Sequence, residues 1–396
     1  MTKPLPSWTT LNKHQVFANG CHDDVARMDF LTHLNAYLGA NVLPGVKTAY
    51  QQQVLPAYIA EHGHEPRDRH EIRNAMLNNS YFQFWSALRR NTMEMRHQAG
   101  RAQVLGQIEA LMAKVTHYTE HVDGLQLDGS VAIPDNIGLV DIHCQPGCYY
   151  QEYFPDDITV AASYDLGLFV TTAGLLGSLN DGGGQAICRY LSQQFPDFSP
   201  KKILDIGCTI GHNIVPIAQA FPDAEVIAVD VARPCLRYGH ARAKALGVNN
   251  ITFVQANAED LSMFDDHSFD LITTAMFWHE TSANAMPAIF KSIYRLLKPG
   301  GLTLHLEQPQ YLGMDVYEQF IRDWDTYFNN EPYWGPMHDL DLQQVVSQAG
   351  FHGDDLFQAK MVSLVDEQIY GKREHGEQGE DYGRAPVWNG FGIWKQ

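Results

Sequence analysis

The sequence is short of positive charge. Its 396 residues hold 28 lysine and arginine side chains against 46 aspartates and glutamates, which gives a formal net charge of -18. A field of that sign repels the phosphates of nucleic acids and the anionic surfaces of membranes. We therefore expect no nucleic acid and no membrane as partners, and we favour a small-molecule substrate.

Cysteines and long apolar runs are also scarce. Six cysteines in 396 residues are too few for a disulfide-stapled scaffold. The opening MTKPLPSWTT lacks the continuous apolar core of a secretory signal. The longest weakly polar stretch, residues 166–179, is shorter than the about 20 residues that span a bilayer, and we predict that it is a buried helix. These absences together predict a cytoplasmic protein.

The N-terminal part of the chain has helical patterns and no convincing strand. Apolar side chains recur at helical spacing in residues 104–115 and again through 72–88. We predict an all-helical N-terminal domain over residues 1–121. A connecting region rich in Gly, Pro, Asp and Tyr follows over 122–184, and its closing glycines at 182–184 are expected to break regular structure.

From residue 201 onward, short apolar runs alternate with helical patterns. The runs are KKILDIG, AEVIAVD, ITFVQAN, FDLITTA and LTLHLEQ. Such alternation predicts an α/β fold, a Rossmann-like, mostly parallel sheet with helices on both faces. We assign residues 185–396 to this domain, with an inserted lid segment at about 311–338, a helix at 315–330 and two closing strands at 358–366 and 391–396.

The segment ILDIGCTIGHN carries a glycine motif at the end of the first strand. It reads Asp-x-Gly-x-x-x-Gly, from Asp205 through Gly207 to Gly211. Glycines in such a strand-to-helix turn let the backbone approach a ligand without a β-carbon in the way. A nicotinamide dinucleotide is disfavoured, because its Gly-x-Gly-x-x-Gly fingerprint would need glycine where Thr209 and His212 stand.

Asp230 ends the second strand, 23 residues after Gly207. A carboxylate there can accept hydrogen bonds from both hydroxyls of a ribose. The alternative is that Asp230 only caps the helix that follows.

Residues 199–310 resemble the core of the class I S-adenosylmethionine-dependent methyltransferases. The resemblance rests on LDIGCTIG, the acidic strand end at Asp230, NAEDL at 257–261, FDLITTAMFWHE and RLLKPGG. It implies S-adenosylmethionine as cofactor, with its methionine part along the two glycines, its ribose at Asp230 and its adenine near Asn257, where the family more often has Asp. The implied cofactor contacts are Asp205, Gly207, Gly211, Asp230, Val231, Asn257, Ala258 and Ala275.

Methyl transfer from a sulfonium needs alignment and, for an oxygen or nitrogen acceptor, a base. His279, which follows the fourth strand, is the predicted base, because it should lie at the sheet edge where acceptor and methyl group meet. The alternative is that His279 and Glu280 begin a helix or line a wall. A histidine base slightly favours O-methylation, and nitrogen, sulfur and carbon acceptors stay open.

Substrate contacts are predicted after the fourth and fifth strands and in the lid segment. The aromatic residues of the lid segment would either cover a small substrate or form part of the core beneath the lid. The predicted residues are Glu280, Glu307, Tyr311, Trp324 and Trp334.

A metal site is considered at His143, Cys144 and Cys148 in HCQPGC. Structural zinc sites need a second ligand pair, which this motif lacks, so we predict packing or a turn and no metal. Two other functions remain as alternatives: a rearrangement or decarboxylation aided by the bound sulfonium, and a non-catalytic binding module. The intact glycine motif argues against the module. We expect the N-terminal domain to shape the pocket and to offer a homodimer contact.

Overall fold

A mixed sheet forms the core of the computed structural model, which describes residues 5–11, 13–364 and 387–396. Its strands are β1 (Leu125–Gln126), β2 (Lys202–Ile206), β3 (Glu225–Asp230), β4 (Ile251–Gln255), β5 (Phe269–Ala275), β6 (Leu297–Leu306), β7 (Phe357–Val362) and β8 (Val387–Trp394). Their order is β1-β4-β3-β2-β5-β6-β8-β7, and β8 runs antiparallel to both its neighbours whereas β1 to β6 pair in parallel. The predicted α/β fold with a mostly parallel sheet is confirmed.

Helices cover both faces of the sheet, and the period of two in a strand explains why. In β2, Ile203 packs with the apolar faces of three helices on one side, whereas its neighbour Leu204 packs with two helices on the other. The first set is α9 (Gly182–Gln194), α10 (Ile214–Ala220) and α11 (Arg233–Ala245), and the second is α12 (Met286–Leu296) and α16 (Leu342–Ala349). A strand buried on both faces reads as a continuous apolar run, as the sequence indicated.

The N-terminal part is helical, as predicted. Its helices are α1 (His22–Tyr37), α2 (Leu43–Ala49), α3 (Leu55–His62), α4 (Arg69–Met76), α5 (Ser80–Leu105) and α6 (Ile108–Thr119). The connecting region adds α7 (Asp135–Gly138) and the buried α8 (Thr159–Thr172). Apolar residues of α1, α5, α6 and α8 share one core with α11, so this part packs on one face of the sheet domain.

The inserted segment consists of α13 (Val316–Arg322), α14 (Trp324–Phe328) and α15 (Trp334–His338). Side chains of α13 and α14 pack into a cluster with α2, α4 and α5. The segment therefore bridges the N-terminal helices and the sheet. How many domains the chain forms, and where their boundaries lie, stays a prediction.

Several predicted elements differ in their bounds. Residues 104–115 are split at Gly106 into α5 and α6, and the buried helix predicted at 166–179 instead ends at Thr172, where Ala173 turns with a φ of 53°. The single helix predicted at 315–330 is two helices. The closing strand predicted at 358–366 ends at Val362, and its residues 365–366 lie outside the described residues.

The glycines at 182–184 were expected to break regular structure, and this is wrong, because they form the first turn of α9. A Cβ on Gly184 would lie 2.6 Å from Pro216 Cγ. The glycines therefore serve the close approach of α9 to α10.

Among the described helices, none is both long and apolar enough to cross a membrane. The cytoplasmic location and the homodimer stay predictions.

Candidate functional site

The glycine motif forms a tight turn between β2 and α10. Gly207 and Gly211 have φ values of 74° and 71°, which favour glycine, and Thr209 between them has 48°. The amides of Gly207 and Cys208 both donate to the Val229 carbonyl of β3, at 2.9 and 3.1 Å. A Cβ on Gly207 would overlap the Phe277 ring. At Gly207 there is therefore room for a hydrogen atom but not for a side chain.

The carboxylate of Asp230 links this turn to the next helix. Its Oδ2 accepts from the Thr209 amide and its Oδ1 from the Ala232 amide, both at 2.9 Å. Ala232 directly precedes α11, so Asp230 makes a contact at the start of this helix, as the capping alternative predicts. A carboxylate offers about four acceptor positions, and two therefore remain for a ligand.

One cavity of about 180 Å³ lies at the carboxyl ends of the central strands. Six of the eight predicted cofactor residues line it: Gly207, Asp230, Val231, Asn257, Ala258 and Ala275. Two do not. Asp205 lies behind the turn and accepts from Thr273 Oγ1 at 2.7 Å, and the position of a Cβ on Gly211 would lie 3.0 Å from the Phe253 ring.

The same cavity reaches a cluster of imidazoles and carboxylates. His279 and Glu280 lie in a single 3-10 turn after β5, and both line the cavity. Glu307, directly after β6, accepts from His279 Nδ1 at 2.7 Å and from the amides of Trp278 and Gln308. Glu307 is therefore a partner of His279 and not itself part of the lining.

His143 enters the cluster from the connecting region. Its Nε2 lies 3.0 Å from Glu280 Oε1, and its Nδ1 lies 2.8 Å from Glu331 Oε1 in the inserted segment. Tyr149 also donates to Glu280 Oε1, at 2.8 Å. The cluster thus unites three parts of the chain that are far apart in sequence.

The three predicted aromatic contacts have different positions. Trp334 lines the cavity and meets the His279 ring edge to face at 4.8 Å between centroids. Trp324 instead donates its Nε1 to Ser86 Oγ at 2.7 Å in the core shared with the N-terminal helices. Tyr311 stacks on His338 at 4.2 Å, away from the cavity lining. For Trp324 and Tyr311 the structure thus matches the core alternative.

Known proteins with similar sequences decide the family. Residues 203–301 match a family profile described as a methyltransferase domain. The chain is 31% identical over 212 residues to the ubiquinone/menaquinone biosynthesis C-methyltransferase of Shewanella putrefaciens, covering 48% of this chain and 83% of that relative. It is 29% identical over 197 residues to the demethylmenaquinone methyltransferase of Symbiobacterium thermophilum, covering 44% and 77%. The chain belongs to the class I S-adenosylmethionine-dependent methyltransferases.

A solved structure, the phosphoethanolamine N-methyltransferase 2 of Haemonchus contortus, is 20% identical with a TM-score of 0.39 over 58% of this chain and 57% of that chain. The protein is thus an enzyme whose cofactor is S-adenosylmethionine and whose acceptor is a small molecule. The non-methylating and binding-module alternatives are not favoured by these relatives.

Two buried carboxyl groups of the methyltransferase have raised pKa values near the cofactor turn. Burial raises the pKa of Asp230 to about 6, although the amides of Ala232 and Thr209 act against it. Burial likewise raises the pKa of Asp205 to about 7, against the hydrogen bond from Thr273. A ligand that donates hydrogen bonds to Asp230 would favour its ionised form, so the residues present fit a ribose diol.

The histidines of the methyltransferase's cluster are held in their charged form. Burial alone would lower the pKa of His279, but the carboxylates of Glu307, Glu280 and Glu331 raise it to about 9. Glu331 and Glu280 raise the pKa of His143 to about 10 against the same effect of burial. Without a ligand, both imidazoles are therefore protonated at neutral pH and donate hydrogen bonds. The predicted role of His279 as a base stays a prediction, and it requires that this proton leaves first.

The N-terminal part was expected to shape the pocket, but sequence analysis did not identify the residue that it contributes to the methyltransferase's cavity. Arg96 of α5 lines it, is buried, and its Nε has no hydrogen-bond partner among the described residues. Arg96 follows Met93 by three residues on the buried face of α5, so a charge within an apolar stripe was the available signal. Tyr149 and Tyr164 also line the cavity, and no sequence pattern marked them.

Proposed function

We propose that this methyltransferase acts on a small hydroxylated molecule of the phenol, hydroquinone or enol class. The observation that carries the proposal is that one cavity is lined both by the cofactor turn at Gly207 and Asp230 and by the cluster of His143, His279 and Glu280. S-adenosylmethionine supplies the electrophilic methyl group when bound. The cluster supplies the groups that would hold a hydroxyl as it loses its proton.

The roles of the individual side chains follow from their charges. Glu280 presents a carboxylate to the cavity and can accept the hydroxyl proton. The His279 imidazolium, oriented by Glu307, can donate to the oxygen as negative charge develops there. Trp334 packs against His279, where it would cover the apolar ring of a bound acceptor and exclude water from this part of the cavity.

The acceptor atom is a separate question from the activated hydroxyl. Ionisation of a phenol or enol raises electron density both on its oxygen and on the ring or vinyl carbon next to the carbon that bears this oxygen. Sequence analysis favoured oxygen. We place carbon first, because the Shewanella putrefaciens relative is named a C-methyltransferase, and O-methylation second.

The test is a methylation assay with methyl-labelled S-adenosylmethionine. The full chain is incubated with hydroquinones, catechols, enols, amines and thiols, and product NMR distinguishes methyl on carbon from methyl on oxygen. We expect label in a hydroxylated compound together with S-adenosylhomocysteine. Transfer only to amines or thiols would refute the proposed acceptor class.

Two variants connect such activity to the cluster. Glu280→Gln keeps the shape of the side chain but removes the carboxylate, so turnover should fall at least about tenfold if Glu280 takes the proton. Its matched control is Glu259→Gln, which also lines the cavity but lies on the side of Asn257 and Ala258. Equal loss in both variants would contradict the role of Glu280.

A further inference from the structure

Three ligand atoms of the cluster are close enough to hold one metal ion. One atom each from His143, His279 and Glu280 lies within 4.8 Å of the other two, among the described residues, and all three side chains line the cavity. We propose that this enzyme binds a divalent transition metal with His143, His279 and Glu280, and that the metal takes the hydroxyl oxygen of the acceptor as a further ligand. This inference rests on the proposed acceptor class. It replaces the roles of Glu280 as proton acceptor and of His279 as donor, because both side chains would hold the ion.

Both imidazoles are oriented as metal-binding histidines are. In protein metal sites, the nitrogen that does not bind the ion almost always bonds to a carboxylate, a carbonyl or water, which fixes the ring. Here Glu307 holds Nδ1 of His279 at 2.7 Å, and Glu331 holds Nδ1 of His143 at 2.8 Å. The Nε2 atoms are therefore the ones left to bind an ion.

The orienting carboxylates are themselves fixed. Glu307 accepts from the Trp278 amide at 2.8 Å and from the Gln308 amide at 2.7 Å. Glu331 accepts from Asn329 Nδ2 at 2.6 Å. A second layer of this kind sets the ligand geometry before an ion arrives.

The spacing of the ligand atoms also fits. His143 Nε2 and Glu280 Oε1 are 3.0 Å apart. Two ligands at about 2.1 Å from one ion, at right angles, are about 3.0 Å from each other. This pair therefore needs little movement to share an ion. The ligand atom of His279 lies within 4.8 Å of the other two and must move closer to them.

The charges of the cluster are compatible with a divalent cation. Glu280, Glu307 and Glu331 bring three carboxylates to two imidazoles, with Glu307 and Glu331 1 to 2% exposed. Buried charges are costly unless they are paired, and without an ion the two imidazoles pair them as protonated donors. A divalent ion would replace those two protons with an equal positive charge at the centre of the cluster.

The ligand set selects the kind of metal. Two imidazoles and one carboxylate suit Fe(II), Mn(II), Co(II), Ni(II) or Zn(II) better than Mg(II) or Ca(II), which prefer oxygen ligands. The two cysteines of HCQPGC are outside the group, and Cys144 Sγ lies 4.0 Å from Asn329 Oδ1 instead. Only His143 of that motif takes part, which differs from the site considered from the sequence.

The chemistry of the step balances without a redox change. The metal would act as a Lewis acid: it lowers the pKa of the hydroxyl, whose O–H bond breaks and whose proton goes to water. The resulting oxyanion stays on the metal while the methyl group moves to the acceptor. The products are methylated acceptor, S-adenosylhomocysteine and one proton.

The experiment is a titration of the chelator-treated full chain with Co(II), followed by visible absorption, and with Cu(II), followed by electron paramagnetic resonance. We expect one Co(II) per chain and nitrogen hyperfine structure from two imidazoles. His143→Gln should reduce the nitrogen count to one, and Glu280→Gln should weaken Co(II) binding at least about tenfold. Glu331→Gln, which removes an orienting partner, should weaken it about 10- to 100-fold.

The control is the double variant His62→Gln, His64→Gln. It removes the exposed His62 and the half-buried His64, whose rings lie 6.3 Å apart, outside the cavity lining. It should bind Co(II) like the unaltered chain. The inference is overturned if the unaltered chain binds no stoichiometric Co(II), or if binding survives in His143→Gln and is lost in the control. Undiminished methyl transfer by the chelator-treated, metal-free chain would sink this inference alone, whereas metal binding with no methyl transfer would sink the proposed function.

Discussion

The most direct test of the cofactor site is the removal of the Asp230 carboxylate. Its two occupied positions hold the amides of Thr209 and Ala232, and two more positions remain for ribose hydroxyls. A hydrogen bond to a charged group contributes about 1.5 to 3 kcal/mol. Because water partly replaces lost partners, we expect Asp230→Ala to cost about 2 to 4 kcal/mol, or about 30- to 1,000-fold in the Kd of S-adenosylhomocysteine.

The pH dependence of this binding has a definite sign. The pKa of Asp230 is raised to about 6, so the ligand-free carboxyl becomes protonated below that pH. Binding needs the ionised form, so affinity should be level above pH 6 and fall by up to about tenfold per unit below it. Stability should change in the opposite direction. The folded pKa lies above the unfolded value of 3.8, so this group stabilises the ligand-free fold as pH falls from about 6 towards 4.

Calorimetry with S-adenosylhomocysteine between pH 5 and 8 measures the affinity, and urea unfolding measures stability. Asp260→Ala is the matched control, because Asp260 is an exposed aspartate on the NAEDL segment whose carboxylate accepts hydrogen bonds from Ser262. A folded Asp230→Ala protein that binds within about threefold of the unaltered chain, a difference below 1 kcal/mol, would refute the assignment of the ribose site.

Three further outcomes are expected. Gly207→Ala should destabilise the fold by about 1 to 2 kcal/mol because of the positive φ, and by more because the new Cβ overlaps Phe277. Gly247 has a similar φ of 75° but lies in open space, so in urea unfolding Gly247→Ala should show only the effect of the φ. Burial holds the pKa of His305 at about 3, below the unfolded value of 6.5. As the pH falls from 6.5 towards 3, the free energy of unfolding should therefore decrease by up to about 1.4 kcal/mol per pH unit, and His305→Gln should flatten that slope. Arg96→Met should weaken S-adenosylhomocysteine if this guanidinium holds the cofactor's carboxylate, or raise the KM of the acceptor if it holds an acceptor anion, and no change in either constant would contradict an anion site.

The cofactor side of the cavity could be predicted because its contacts are local. Asp230 and Thr209 are 21 residues apart, within one strand–helix–strand unit. The glycines, the acidic strand end and the apolar runs all lie within that unit, so the pattern alone indicates which atoms meet.

The glycines at 182–184 and the connecting region show where sequence patterns fail. Glycine is usually read as a breaker because of its flexibility, but here its lack of a side chain lets α9 approach α10. β1 has two residues, too few for any period to show, and it joins the sheet only because β4 offers an edge. Tertiary packing decides both cases, and packing leaves no local signal.

The acceptor side of the cavity is built from long-range contacts, and this affects how the relatives can be used. His143 and Glu280 are 137 residues apart, and Glu331 comes from the inserted segment. The family profile ends at residue 301 and begins at 203, so it includes His279 and Glu280 but neither His143, Arg96 nor Glu331. Similarity within that range reports on the methyl donor, which the family shares. The acceptor is selected by residues that lie partly outside it, and the chemistry of the cluster must therefore be considered together with the names of the relatives.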